Sequence, residues 1–144
     1  MTTRYGVRCE EIGQLLSAWG EPGYRLRQIW DGLYKRRAPL EELTDLSVAL
    51  RDRLSDALPL ALTPVHTSSA DKGETLKWLW RGADAASVET VLMLYPARAT
   101  VCVSTQAGCA MGCTFCATGQ AGFERHLSAG EVVEQVVRAQ HAIS

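Results

Sequence analysis

The residues best suited to chemistry are three cysteines in a short segment rich in small residues. Cys109, Cys113 and Cys116 have the spacing C-x3-C-x2-C, with glycine at positions 108 and 112. Thiolates at this spacing can wrap one compact inorganic centre, and cysteine thiolates are the usual ligands of a [4Fe–4S] cluster. Three protein ligands would leave the fourth iron open to an external molecule. The segment therefore predicts an iron–sulfur cluster that has one iron available for chemistry.

An open iron of this kind can bind S-adenosylmethionine through its amino and carboxylate groups. The reduced cluster can then pass one electron to the sulfonium, which releases a 5′-deoxyadenosyl radical. The alternative is a structural zinc site, for which Cys102 or His126 would supply the fourth ligand. Zinc sites usually pair their cysteines as C-x2–4-C units, so the observed spacing favours the cluster.

Composition describes a folded chain without a strong overall charge. The sequence has 144 residues, of which 47% are hydrophobic and 22% charged, and its formal net charge is −1. These values exclude disorder and leave nucleic-acid binding to a local basic surface. We see no export signal and no apolar stretch of about 18 residues, so we expect a cytoplasmic protein without a membrane partner. The odd number of cysteines fits metal or redox chemistry better than a disulfide framework.

Apolar periodicity indicates three helices between residues 10 and 58, which must form a small bundle. The first two helices carry apolar stripes at helical spacing: Ile12, Leu15, Leu16 and Trp19, then Leu26, Ile29, Trp30, Leu33 and Tyr34. Gly20 is expected to end the first helix. Ser47 is expected to cap the third helix, and Pro59 to follow its end.

From about Thr63 the period becomes two, which predicts strands over 76–81, 88–95 and 101–104. Ser128 and Glu131 then form a capping box. It opens a helix whose predicted apolar side comprises Val132, Val133, Val136, Val137 and Ala139. A strand, a cysteine loop and a helix in this order are typical of a βα unit. A parallel strand needs neighbours, so this unit should open a larger domain.

The string from Cys102 to Phe123, CVSTQAGCAMGCTFCATGQAGF, resembles the RlmN/Cfr family of RNA adenine methyltransferases, and RlmN most closely. Residues 23–30, 88–91 and 127–135 also match that family. The resemblance implies an α/β fold with three parts. These are a helical, RNA-contacting domain over 1–62, a β connector over 63–100 and, over 101–144, the first βα unit of a truncated radical SAM (β/α) barrel.

The resemblance also implies roles for individual residues. The three thiolates bind the [4Fe–4S] cluster, Phe115 lies near the adenine of S-adenosylmethionine, Glu89 is the acid/base residue facing the target adenine, and Cys102 resolves a protein–RNA adduct by forming a disulfide. The implied substrates are 23S rRNA and tRNA, methylated at adenine C2, and the implied further partner is an external electron donor. No cysteine follows Cys116 to carry the transferred methyl group, so we predict that the chain alone has no turnover.

Several alternatives stay open at this stage. Strand alternation alone could point Glu89 at solvent, and Cys102 could simply fill a strand position. A basic set on the second helix could hold RNA phosphates with the aid of nearby aromatics, or could be a solvated face whose aromatics, Trp30 above all, pack inward. The basic residues are Arg25, Arg27, Lys35, Arg36 and Arg37, and the other two aromatics are Tyr24 and Tyr34. Methylation at C8, as in Cfr, and a non-catalytic RNA-binding module with a structural metal are the alternative functions.

Overall fold

The computed structural model describes residues 2–107 and 125–143. The helical part comprises α1 (Cys9–Ala18), α2 (Tyr24–Tyr34) and α3 (Val48–Ala57), with a short 3-10 turn at Leu40–Glu42. The predicted ends are confirmed: Gly20 has a φ of +73°, and the Ser47 hydroxyl accepts a hydrogen bond from the Leu50 amide at 3.2 Å.

The helices enclose an apolar core whose buried members are at most 7% exposed. Its members come from the N-terminal segment, all three helices and the loops between them: Tyr5, Val7, Ile12, Leu16, Ile29, Leu33, Leu40, Leu43, Leu46, Leu50, Leu54 and Leu58. Val137, from the last helix of the chain, joins the same cluster. The stripes predicted from helical spacing therefore do face one shared core.

An antiparallel sheet of four strands follows in the order of the chain. Its strands are β1 (Leu62–Ala70), β2 (Thr75–Gly82), β3 (Ser87–Tyr95) and β4 (Arg98–Val103). A two-stranded antiparallel ribbon, β5 (Gln106–Ala107) with β6 (Arg125–His126), comes next, and α4 (Ala129–Ala142) packs on β3 and β4. We call the sheet surface turned away from α4 the open face. It carries Lys77, Leu79, Glu89, Val91 and Cys102.

Two features of the sheet differ from the sequence prediction. The strand expected over 101–104 begins at Arg98, ends at Val103 and pairs antiparallel with β3. The expected boundary at residue 100 consequently falls inside β4, while the division into domains stays a prediction. β1 was not predicted as a strand. Only Leu62 of its residues is buried, so it has no apolar alternation to detect.

The last helix buries polar side chains together with part of the expected apolar side, of which Val137 and Ala139 are buried. Its capping box is present as predicted, but the side chains with no exposed surface are those of Glu134 and Gln135, whereas three of the five predicted apolar residues are only half-buried. The helix lies against strand ends whose backbone groups need hydrogen-bond partners, and polar side chains supply them. Within the described ranges, every helix is too short or too polar to cross a bilayer.

Candidate active site

Glu89 and Cys102 lie on the same open face of the sheet. Val91 pairs directly with Cys102 across β3 and β4, and Glu89 is two residues before Val91 and so points to the same side. Glu89 and Cys102 are thus diagonal neighbours, a relation that typically separates side chains by about 7–8 Å. Cys102 is exposed and is a free thiol. The register therefore brings together the two residues to which the resemblance assigns chemistry on the target base.

The Glu89 carboxylate is half-buried and ion-paired. Its side chain is 30% exposed, and its Oε1 lies 3.4 Å from the Lys77 ammonium nitrogen on β2. The alternative of a fully solvated side chain does not describe this position. The pair also leaves Oε2 without a protein partner among the described residues.

The backbone at Glu89 is held by a buried polar network centred on Gln135. The Gln135 amide closes two bonds with Ser104, accepting from its backbone N–H at 2.9 Å and donating to its carbonyl at 2.8 Å. Thr90 donates to Gln135 at 2.8 Å and accepts from the Trp80 indole at 2.9 Å. The Ser104 hydroxyl donates to the Glu89 carbonyl at 2.6 Å. Through these bonds α4 fixes the ends of β3 and β4 that carry Glu89 and Cys102.

A second polar anchor joins α4 to the start of the sheet. The Glu134 carboxylate accepts the backbone N–H groups of Ala61 and Leu62 at 2.8 and 2.9 Å. Arg138 bonds the Leu62 carbonyl at 2.8 Å and the Glu134 carboxylate at 3.2 Å, and its guanidinium lies 4.3 Å from the centre of the Trp80 ring. Glu134 has no exposed surface, so these bonds are needed to offset its desolvation.

Arg125 ties the end of the cysteine segment to the rest of the protein. Its guanidinium bonds both oxygens of Glu131 at 2.8 Å and both oxygens of Asp84, at 2.6 and 3.2 Å. These bonds hold the pKa of each carboxyl below its usual range. Arg125 also pairs with Ala107 across the ribbon, so the two described residues that flank segment 108–124 lie on adjacent strands.

The predicted cluster ligands Cys109, Cys113 and Cys116, together with Phe115, lie outside the described residues. Three thiolates are a donor set that a [4Fe–4S] cluster accepts, and the residues that flank the segment, Ala107 and Arg125, pair with each other. No group of three metal-ligating side chains occurs within 2–107 and 125–143, the ranges that contain Cys102 and His126.

The basic set on α2 and directly after its end is partly neutralised by its neighbours. Arg27 and Lys35 are well exposed and both pair with Asp31, while Arg36 pairs with Asp45. Two of the three nearby aromatics, Trp30 and Tyr34, pack against each other and the helical core, whereas Tyr24 is 60% exposed. The prediction that Trp30 belongs to the core is therefore confirmed, and only Tyr24 remains available to stack on a base.

The sequence interpretation missed the polar residues that position this site. Glu131, Glu134, Gln135 and Arg138 recur at i, i+3, i+4 and i+7, the spacing that was applied to apolar residues. In this helix the polar stripe is a hydrogen-bonded face, in which Glu131, Glu134 and Gln135 are buried. Lys77 gave no signal, because its importance depends on strand register.

Comparison with solved structures identifies the class of protein to which this fold belongs. A crystal structure of a radical SAM methyltransferase from Sphaerobacter thermophilus superposes with a TM-score of 0.85 at 47% identity, covering 99% of this chain and 42% of that one. The chain thus has the fold of part of a radical SAM methyltransferase, with helices and an antiparallel sheet. No family model matches it.

Curated relatives narrow the class further. The chain is 49% identical over 140 residues to a probable dual-specificity RNA methyltransferase RlmN from Chloroflexus aurantiacus, and 54% identical over 138 residues to its namesake from Roseiflexus castenholzii. These matches cover 96% and 94% of this chain but 37% and 34% of the relatives. The chain is therefore RlmN-like over nearly its whole length, and it spans about a third of the length of these relatives.

Proposed function

We propose that the chain is the cluster-binding and adenine-facing part of a radical SAM enzyme that methylates C2 of a specific adenine in 23S rRNA and in tRNA. The observation that carries this proposal is the shared open face of Glu89 and Cys102, in a chain that is RlmN-like over nearly its whole length. In this proposal, segment 101–144 opens the (β/α) barrel, and the helical part contacts RNA in the cytoplasm.

The chemistry of the target atom explains why a radical enzyme is needed. Adenine C2 is an electron-poor aromatic carbon without a lone pair, so it cannot attack a sulfonium methyl group directly. Cys109, Cys113 and Cys116 would hold a [4Fe–4S] cluster, and Phe115 would lie against bound S-adenosylmethionine. A bound cluster that has been reduced by an external donor would, together with S-adenosylmethionine, supply a 5′-deoxyadenosyl radical.

The described residues act on the base and on the covalent adduct. In the proposal, a carbon radical on the methyl group of a methylated cysteine adds to C2, and the Glu89 carboxylate takes the proton that C2 then loses. The remaining unpaired electron would return to the oxidised cluster. The Cys102 thiolate then attacks the sulfur that links protein and RNA. A disulfide forms as the carbon–sulfur bond breaks, and the carbon leaves with the electron pair and gains a proton to become methyl. The exposure of Cys102 leaves its sulfur accessible for this attack.

Nucleoside mass spectrometry after an anaerobic methyl-transfer reaction tests the proposal. The complete gene product that contains this chain should convert adenosine in 23S rRNA and tRNA to 2-methyladenosine. Cys102→Ala should abolish turnover and Glu89→Gln should lower it by about 10²–10⁴-fold, whereas the conservative control Ser17→Ala on α1 should leave turnover unchanged. Formation of 8-methyladenosine would assign the Cfr-like reaction instead. RNA binding without any methyl transfer would favour the non-catalytic module. The 144-residue chain alone should show no turnover.

A further inference from the structure

Lys77 occupies a central place on the open face that no proposed role yet explains. It pairs with Val91 across β2 and β3, and Val91 pairs with Cys102 across β3 and β4. The three residues therefore form one cross-strand row, and their side chains share the open face. Glu89 belongs to the next row, diagonal to both Lys77 and Cys102. The register surrounds Val91 with an ammonium group, a carboxylate and a thiol.

The Glu89 side chain is held at two separate points. At its backbone, the carbonyl accepts the Ser104 hydroxyl at 2.6 Å, and Ser104 is fixed in turn by Gln135. At its tip, Oε1 lies 3.4 Å from the Lys77 nitrogen. Among the polar contacts of the described residues, only the second reaches the carboxylate, because the first contact involves the main chain. Lys77 thus determines where the free Oε2 points.

We propose that Lys77 is a positioning residue that aims the Glu89 carboxylate at the target base. This inference rests on the proposed function. An isolated, exposed ion pair contributes little to folding stability, so stabilisation of the fold does not by itself explain the contact. Here the side chains are only 45% and 30% exposed, and the pair leaves one carboxylate oxygen unpartnered on the face that holds Cys102. The contact is therefore suited to orienting a reactive group.

Two substitutions of Lys77, one that removes its charge and one that keeps it, test the proposal in the complete gene product. Lys77→Met keeps the aliphatic stem and removes the charge, whereas Lys77→Arg keeps the charge. We expect Lys77→Met to lower kcat for RNA methylation by about 10-fold or more, since general acid–base catalysis typically contributes 10²–10⁴-fold. KM and the equilibrium Kd for RNA should stay within about 2-fold, and Lys77→Arg should recover most of kcat. The matched control is Lys72→Met, in the exposed turn between β1 and β2.

A double-mutant cycle shows whether Lys77 acts through Glu89. In a Glu89→Gln background, Lys77→Met should change the residual rate by less than about 2-fold, because the group that it positions is already gone. An equal loss in both backgrounds would overturn the inference. So would an increase in RNA KM and Kd with kcat unchanged, which would identify a phosphate contact, and so would an unaltered kcat.

The same assay separates this inference from the proposed function. A wild-type gene product that methylates no RNA refutes the proposed function and the role of Lys77 with it. An active wild-type enzyme that tolerates Lys77→Met as well as it tolerates Lys72→Met refutes only the role of Lys77. Far-ultraviolet circular dichroism and RNA binding, measured on every variant, identify any loss of folding.

Discussion

The helical part and the sheet part of this protein are held together in different ways. Twelve of the buried residues in the helical cluster belong to the N-terminal part of the chain, and all are hydrophobic. The buried apolar cluster of the sheet consists of Leu62, Trp80 and Val88 alone among the described residues. Hydrogen bonds from α4 to strand residues add to these apolar contacts and to the pairing between the strands. Apolar burial tolerates small shifts, whereas hydrogen bonds fix direction, so the part that needs accurate geometry is the part held by polar contacts.

Truncation in the helical core should produce the largest loss of stability. Leu33 has no exposed surface, so Leu33→Ala should lower the free energy of unfolding by about 2–5 kcal/mol through lost burial and the resulting cavity. Val48→Ala, at a 63% exposed position in α3, is the control and should change it by about 0.5 kcal/mol or less. Urea denaturation measures both. Equal effects would show that the helical core is not the source of stability.

Removal of the Gln135 amide should affect the site more specifically. Gln135→Leu leaves the Ser104 backbone groups unsatisfied, which should cost about 1–3 kcal/mol. Amide hydrogen exchange at Ser104 should accelerate beyond what the global loss explains. The control is Gln14→Leu, on an exposed position of α1, for which Ser104 exchange should be unchanged. If hydrogen exchange at Ser104 were unchanged in Gln135→Leu, the Gln135 amide would not be what holds the Ser104 backbone.

The contact between the N-terminal segment and α4 can be tested at a glycine. A Cβ on Gly130 would lie 2.7 Å from the Gly6 Cα, so Gly130→Ala must push two backbones apart and should cost about 1–3 kcal/mol. Gly23→Ala is a matched control, because nothing lies within 4 Å of a Cβ there. If thermal unfolding showed the same Tm for both variants, the close approach of the two backbones would be wrong.

Acid should lower the free energy of unfolding of the sheet part by protonating the carboxylates that bind Arg125, Glu131 among them. The hydrogen bonds from Arg125 keep the pKa of Glu131 below its ordinary value of 4.5. Because the folded-state pKa is the lower one, this stabilisation is complete above pH 4.5 and is lost as the pH falls through the folded-state value. Glu131→Gln should therefore flatten the dependence of unfolding free energy on pH in acid. A slope identical to that of the wild type would exclude Glu131 as a contributor.

The two parts also differ in how well the sequence predicts them. The stripe through Ile29 and Leu33 and the Ser47 cap are local patterns, so the helices could be predicted. The pairing of Val91 with Cys102 depends on strand register, which local spacing does not specify. Cys102 and Glu89 could therefore be selected by resemblance, but their shared face and the contact with Lys77 could not be predicted from the sequence.

Metal analysis of the anaerobically purified and reconstituted complete gene product tests the central claim most directly. The account predicts about four irons and an equal amount of sulfide for each chain, both lost when Cys109, Cys113 and Cys116 are replaced by alanine. One tightly held zinc in place of iron would contradict the proposed radical chemistry.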